Sequence, residues 1–300
     1  MQRLSVLLLA LVWLGMSGFL SVPPAPAPEA PDQKENTLLW EISGKGLGRP
    51  SYLYGTIHLI CPHDFFLANP TKEKLAQTER LALEIDLSDP TLLQQLQGAA
   101  LGQTGGSLKK SLSQEDYAAL NTFFKKNLGM DLRHLDSFTP IMLTSLLLSQ
   151  LIDCTPQSYE AAFLQLAKEQ NKPLVGLETV QDQLEAFGRI ALPAQSDLLV
   201  QTVKDLEESK EQFREMVKMY RAQDLQALDK LIKKVYDTSP TMEDALFTQR
   251  NQRWIPVMEK LAREKPTFFA VGVAHLSGDQ GVIALLRKQG YAVKPVPNPI

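Results

Sequence analysis

Two segments at opposite ends of this 300-residue chain repeat one pattern, an aromatic-rich apolar run leading into Gly-x-x-His-Leu. The first reads Tyr52-Leu53-Tyr54-Gly55-Thr56-Ile57-His58-Leu59, and the second Phe268-Phe269-Ala270-Val271-Gly272-Val273-Ala274-His275-Leu276. A strand that ends in Gly and then His carries its imidazole at the carboxyl end, where open α/β sheets keep their ligand sites. If the two strands lie side by side, the ends of the chain must meet in one sheet. The chain has four histidines, and two of them occupy the same place in the repeat. Imidazole is the commonest transition-metal ligand and the usual proton carrier near neutral pH, so a two-histidine site is expected there.

The rest of the chain suits that arrangement. Leu38–Ser43 and Tyr52–Ile57 flank a glycine-rich loop and read as a hairpin. Asn69-Pro70 and Asp89-Pro90 open helices, and Arg80–Asp86 and Pro173–Leu177 read as strands. The stretch 101–110 reads as a loop, and its lysines lack the spacing of a phosphate loop. Helical spacing then dominates: helices are expected at 113–127, 141–151, 158–170, 179–187, from 195 to about 236, and at 241–260. The chain closes with a βαβ-like unit, a strand at 267–271, a helix at 279–289 and a strand at 291–296. The expected fold class is α/β: a central mixed sheet built from both ends of the chain, with a large helical insertion at about 110–240, in one domain spanning 37–300.

Residues 1–22 read as a signal peptide or N-terminal anchor, since Arg3 precedes a 17-residue apolar run, Leu4–Leu20. A Pro/Ala-rich linker, 23–36, follows, and Ala25-Pro26-Ala27 is hemmed in by prolines. The expectation is an exported protein, periplasmic or extracellular, with residues 4–20 a possible membrane tether. A formal charge of −3 leaves no basic footprint for nucleic acid. Cys61 and Cys154 are the two cysteines. They are compatible with one disulfide, with two separate thiols, or with Cys61 as a soft ligand.

Polar residues stand where these strands should be apolar. Glu84 interrupts Arg80-Leu81-Ala82-Leu83-Glu84-Ile85-Asp86, and Leu174-Val175-Gly176-Leu177 ends on Glu178. A buried carboxylate must neutralise, pair or bind a metal. His58, His275 and Glu84 are therefore the candidate metal ligands, and Glu84, Glu178 and Arg250 the candidate catalytic groups. Asp86 reads as a cap, His63 and His134 as solvated, and Arg253 as solvent-facing. No His-Glu-x-x-His, Gly-x-Ser-x-Gly or paired Cys-x-x-Cys occurs, so zincin, serine-hydrolase and zinc-ribbon readings fail.

Tyr54-Gly-Thr-Ile-His58-Leu, Leu83-Glu84-Ile-Asp86-Leu, Gly176-Leu-Glu178-Thr179 with Gln183 and Phe187, Arg250-Asn251-x-x-Trp254 and Phe269-Ala-Val-Gly272-Val-Ala-His275-Leu together resemble the TraB/PrgY/GumN family, which includes the Tiki metalloproteases. The resemblance spans about residues 38–297. It implies an erythromycin-esterase-like α/β fold and a metal-dependent protease activated by a divalent transition metal, Mn or Co, beside the Zn or Mn that the histidine and carboxylate mix itself suits, acting on peptide or protein substrates. It carries His58 and His275 over as ligands and Glu84 as ligand or general base. It also matches Glu178 and Arg250 to less settled roles. Two other readings stay open, a non-catalytic module that binds peptide or haem and a metal-independent esterase-like hydrolase.

Overall fold

The computed structural model describes residues 36–92, 94–95, 108–136, 138–236 and 239–300. The signal or anchor, nearly all of the linker and most of the 101–110 loop lie outside the described residues. Six strands form one mixed sheet: β1 (Leu39–Ser43), β2 (Ser51–Thr56), β3 (Arg80–Leu83), β4 (Leu174–Gly176), β5 (Thr267–Gly272) and β6 (Ala292–Pro295), in the order β4-β3-β5-β2-β1-β6. β4, β3, β5 and β2 run parallel, and β1 lies antiparallel between β2 and β6. Every residue of β2, β3 and β5 is buried. That is why these strands read as unbroken apolar runs instead of alternating ones: helices and loops cover both faces of a parallel sheet.

The expected meeting of the chain ends is present. β2 pairs with β5 from Tyr52↔Phe268 to Thr56↔Gly272, so both Gly-x-x-His segments leave the sheet at the same edge. β5 also pairs with β3, which brings the end of β3 to that edge. The closing βαβ unit differs from its simplest form. β6 pairs with β1, so β2 and β1 stand between β5 and β6, although β5 and β6 point the same way.

The described end of the expected 101–110 loop is helical (Leu108–Ser111), and the expected 141–151 helix is Pro140–Leu146 followed by a 3-10 turn, Leu147–Gln150. Three further departures bear on the site. β3 stops at Leu83, because Asp86 Oδ1 accepts from Ser88 N at 2.8 Å and from Ser88 Oγ at 2.6 Å and turns the chain away. Glu84 thus sits just past the strand, and Asp86 closes a turn instead of capping a helix. The helix expected over 195–236 is three: Leu192–Lys204, Leu206–Arg221 and Leu225–Tyr236. Gln223 takes a left-handed backbone (φ 54°) between the last two. Its buried side chain accepts from Leu38 N at 3.2 Å and donates to the Asn298 carbonyl, tying the insertion to both termini of the sheet. Within the insertion a second apolar cluster forms, centred on Leu120, Phe124, Leu143 and Leu199.

The third departure lies over 240–264. A short helix, Pro240–Glu243, passes through a π turn at Asp244–Thr248 into the Gln249–Glu264 helix. Single π turns are rare and often sit beside functional residues. Glu243, at the head of the turn, is 8% exposed, and its Oε2 has no hydrogen-bond partner. Burial, helped by Asp244 and Asp229 and opposed by Lys233, pushes its carboxyl up to about 7. In the unfolded chain it titrates near about 4.3. Folding therefore favours the protonated form, so this contribution is complete below about pH 4 and lost as pH rises through 7. Glu243→Gln should raise the melting temperature at pH 8 and leave it unchanged at pH 4; equal shifts at both pH values would contradict the assignment.

Cys61 and Cys154 form a disulfide, which leaves no free Cys61 thiol to act as a ligand. The bridge closes a sequence separation of 93 residues and stands next to a β-bridge between Ile60 and Gln157. Together they pin the loop after His58 to the start of the Tyr159–Glu169 helix. Replacing both cysteines with serine should cost about 2–5 kcal/mol in urea unfolding. Reductant should bring the wild type down to the same stability and leave the double variant unmoved.

Candidate active site

The parallel register puts the ends of β2, β3 and β5 side by side, and the side chains just beyond them converge. Close approach explains the glycines of the two motifs. A Cβ on Gly55 would lie 3.0 Å from both Val273 and Leu276 side-chain atoms, in the turn that carries His275. A Cβ on Gly272 would lie 3.2 Å from Glu84 Oε1, and the Gly272 N–H donates to that same oxygen at 2.8 Å. Gly272 thus makes room for a site carboxylate, and Gly55 for the turn that carries His275.

Arg250 is the hub. It projects from the Gln249–Glu264 helix and is 3% exposed. One terminal nitrogen, Nη2, reaches both Glu84 Oε2 at 2.6 Å and Glu178 Oε1 at 2.5 Å, and Arg250 Nε donates to Glu178 Oε1 at 2.9 Å. It also donates to the Leu246 carbonyl at 3.2 Å and stacks over Trp254 at 4.8 Å. Two carboxylates raise its pKa against the opposing effect of burial. Glu178 Oε2 is occupied as well, accepting from Trp254 Nε1 at 3.0 Å. Burial works to raise Glu84, but the Arg250 charge, then His275, His58 and the Gly272 N–H, bring it down to about 2. Glu84 is therefore an anion at neutral pH.

The two histidines are held differently. His275 is 2% exposed, its ring 4.3 Å from that of Trp254 and edge-on to Phe247. Asn251 Nδ2 donates to the Gln280 carbonyl at 2.8 Å, which leaves Asn251 Oδ1 to accept from His275 Nδ1–H at 2.6 Å. That fixes the tautomer: the lone pair is on Nε2, 3.3 Å from an Arg250 nitrogen and 3.9 Å from Glu84 Oε1. Burial, with Arg250 and His58 adding and Glu84 opposing, holds this ring well below the ordinary imidazole range, so it is neutral. His58 has 41% of its side chain open to solvent, and its Nδ1 lies 3.0 Å from Glu160 Oε1. Burial opposes its charge, but the Glu160 carboxylate outweighs that and raises it to about 9.

The donor chemistry suits a divalent transition cation up to a point. A neutral imidazole lone pair and an ionised carboxylate oxygen 3.9 Å apart could both bond one ion at about 2 Å. The trio is not closed: among the described residues no three His, Cys, Asp or Glu side chains are grouped to hold a metal. The cation that binds Glu84 and Glu178 here is the Arg250 guanidinium.

The structure joins His275, Glu84, Glu178 and Arg250 in one contact network, while His58 stands at the end of the adjoining strand, bonded to Glu160 and near enough to act on Glu84 and His275 electrostatically. His63 is 74% exposed and His134 is exposed, as expected. Arg253 differs from expectation: it is half-buried, with Nε and one terminal nitrogen covered and without hydrogen-bond partners. Glu160 and Asn251 went unassigned in the sequence. Glu160 has the appearance of an ordinary first-turn helix acid after the Ser158 cap, and Asn251 stands in the Arg250-Asn251-x-x-Trp254 motif with no role of its own visible there.

A model of the TraB/PrgY/gumN family matches residues 38–295. Metalloprotease TIKI1 of Danio rerio is 22% identical over 323 residues, covering 89% of this chain and 64% of its own length. Metalloprotease TIKI2 of Xenopus tropicalis is 23% identical, covering 87% of this chain and 60% of its own length. Metalloprotease TIKI1 of Homo sapiens is 24% identical, covering 89% and 63%. The chain thus spans less than two thirds of the length of these relatives. No solved structure matches it.

Proposed function

For this chain, which belongs to the TraB/PrgY/gumN family, we propose the role of an exported metal-dependent hydrolase acting on peptide bonds. The observation that carries this reading is the approach of His275 Nε2 to Glu84 Oε1 at 3.9 Å at the ends of β5 and β3, with His58 following the end of the adjoining β2. The relatives' printed name, metalloprotease, supports the reaction class. In this proposal His58, His275 and Glu84 would hold a divalent cation (Mn, Co or Zn), which would displace the Nε2 proton that Glu160 favours on His58 and, when bound, would supply an acidified water and polarise the scissile carbonyl.

The chain's own groups then have separate tasks. Asn251 keeps the His275 Nε2 lone pair facing the site. Arg250 keeps Glu84 ionised at neutral pH, ready as ligand or as proton acceptor, and in this proposal its charge would also stabilise a developing oxyanion. Glu178, with both oxygens engaged by Arg250 and Trp254, anchors the guanidinium. His58, the ring with a solvent-facing side, is where a peptide would arrive. Export is supported by the apolar run at 4–20 and by the disulfide, which persists in oxidising compartments. Among the described residues no helix is long and apolar enough to cross a membrane.

The test is a mixed peptide library with the purified chain, stripped with chelator and then supplied with Mn, Co or Zn. Cleavage that appears only with metal supports the proposal. Turnover that survives chelation would favour a metal-independent hydrolase, and tight peptide binding without cleavage a sequestering module.

A further inference from the structure

Behind His58 stands a carboxylate that none of the motifs contains. Glu160 is the second residue of the Tyr159–Glu169 helix, and only 14% of its side chain is exposed. A first-turn acid serving the helix dipole would stay near the helix's own N–H groups. Glu160 instead reaches across to the end of β2. Its Oε1 accepts from Thr56 Oγ at 2.7 Å and faces His58 Nδ1 at 3.0 Å. Its Oε2 accepts from Ser158 Oγ at 2.8 Å, and Ser158 is itself the helix N-cap, accepting from Ala161 N at 3.3 Å. Both sides of the contact are tied down, by the Ile60–Gln157 bridge and by the Cys61–Cys154 disulfide.

We infer that Glu160 is a positioning residue: it holds His58 through Nδ1–H and makes Nε2 the ring's working atom. An ionised carboxylate only accepts, so the ring nitrogen facing it must carry the proton. The arrangement parallels Asn251 behind His275, where an amide oxygen takes Nδ1–H and leaves Nε2 toward Glu84. The two rings of the repeated motif are thus anchored by the same edge, one on an anion and one on a neutral group. Partners of this kind orient ligating or proton-carrying histidines, and their loss costs on the order of 10–100-fold in affinity or activity. What the ring does once oriented rests on the proposed hydrolase; its orientation does not.

The experiment uses the full chain without metal and reads the histidine ring N–H signals by proton–nitrogen NMR. The wild type should show one slowly exchanging, strongly downfield Nδ1–H, assigned to His58 by its disappearance in His58→Ala. Glu160→Ala should abolish it. Glu160→Gln, whose amide oxygen still accepts, should keep it at a less downfield position. With a cleavable peptide and metal, kcat should fall on the order of 10–100-fold in Glu160→Ala, with KM unchanged and Glu160→Gln in between. A purely structural role would lower the melting temperature without moving the ring proton. An unchanged signal in Glu160→Ala, or a wild-type His58 with no proton on Nδ1, overturns the inference. If the alanine variant does not fold, an unshifted signal in Glu160→Gln overturns it equally. If the wild type cleaves no peptide, the hydrolase proposal falls, and the ring signal still decides the role of Glu160.

Discussion

Arg250→Ala should be the most damaging single substitution in the sheet-end cluster, lowering stability by about 3–5 kcal/mol in urea unfolding at pH 7. The reason is asymmetry. Removing the guanidinium leaves Glu84 and Glu178 buried, with side chains 12% and 4% exposed, and without their shared cation. Trp254 also loses its stacked partner. An isolated charge in such a place costs more than the pair contributes, so breaking the bridge is worse than never having built it. Arg250→Lys should fall between, since an ammonium keeps the charge but cannot span two carboxylates, a carbonyl and an imidazole with one planar fork.

The pH dependence should change as well. In the wild type Glu84 is depressed to about 2, below its unfolded value near about 4.3. Its contribution is present above the unfolded value and lost as pH falls through 2. Without Arg250 the dominant opposition to burial is gone, and the carboxyl favours its protonated form. The variant should therefore lose its deficit on acidification from pH 7 to pH 4 as the wild type begins to weaken. A stability difference that stays constant across that range would show that Arg250 acts through packing and not through charge.

How far the fold could be read depended on which residues carry its signal. β2 and β5 were legible because strands buried on both faces are written as continuous apolar runs, and their glycines and histidines stand out against that background. The end of β3 was not, because the pairing of Glu178 N with the Glu84 carbonyl depends on a strand distant in sequence, and the local Asp86–Ser88 turn reads in sequence as a helix cap. The helix break at Gln223 carries no glycine or proline; a buried amide bonded to Leu38 and Asn298 imposes it, which is a tertiary cause. In the site, His58, His275, Glu84, Glu178 and Arg250 could be named because a polar residue in an apolar run needs a reason. Which of them is accessible could not be. Burial makes His275 a neutral ring and leaves His58 half-open, although the two share one motif. Glu160 was hidden for the converse reason: an acid after a serine cap already has a sufficient local explanation.

That difference between the two rings makes His58→Ala the most informative activity variant. His275 is wedged among Trp254, Phe247 and Asn251, so its removal opens a hole in the core, and any loss of activity is mixed with loss of structure. His58 is 41% open, and Glu160 keeps its bonds to Thr56 and Ser158 when the ring is gone. The fold should lose about 1.5–3 kcal/mol, the worth of one hydrogen bond between charged groups. Turnover of any peptide the wild type cleaves should be lost, because the proposed cation would lose one of its ligands. His58→Gln, whose amide N–H can still face Glu160, should restore the stability and not the turnover. Paired melting curves and kcat/KM values on one peptide decide it. Retained turnover in His58→Ala would move the chemistry to the buried Glu84–Arg250–His275 group and leave the half-open imidazole as a surface feature of the β2 loop.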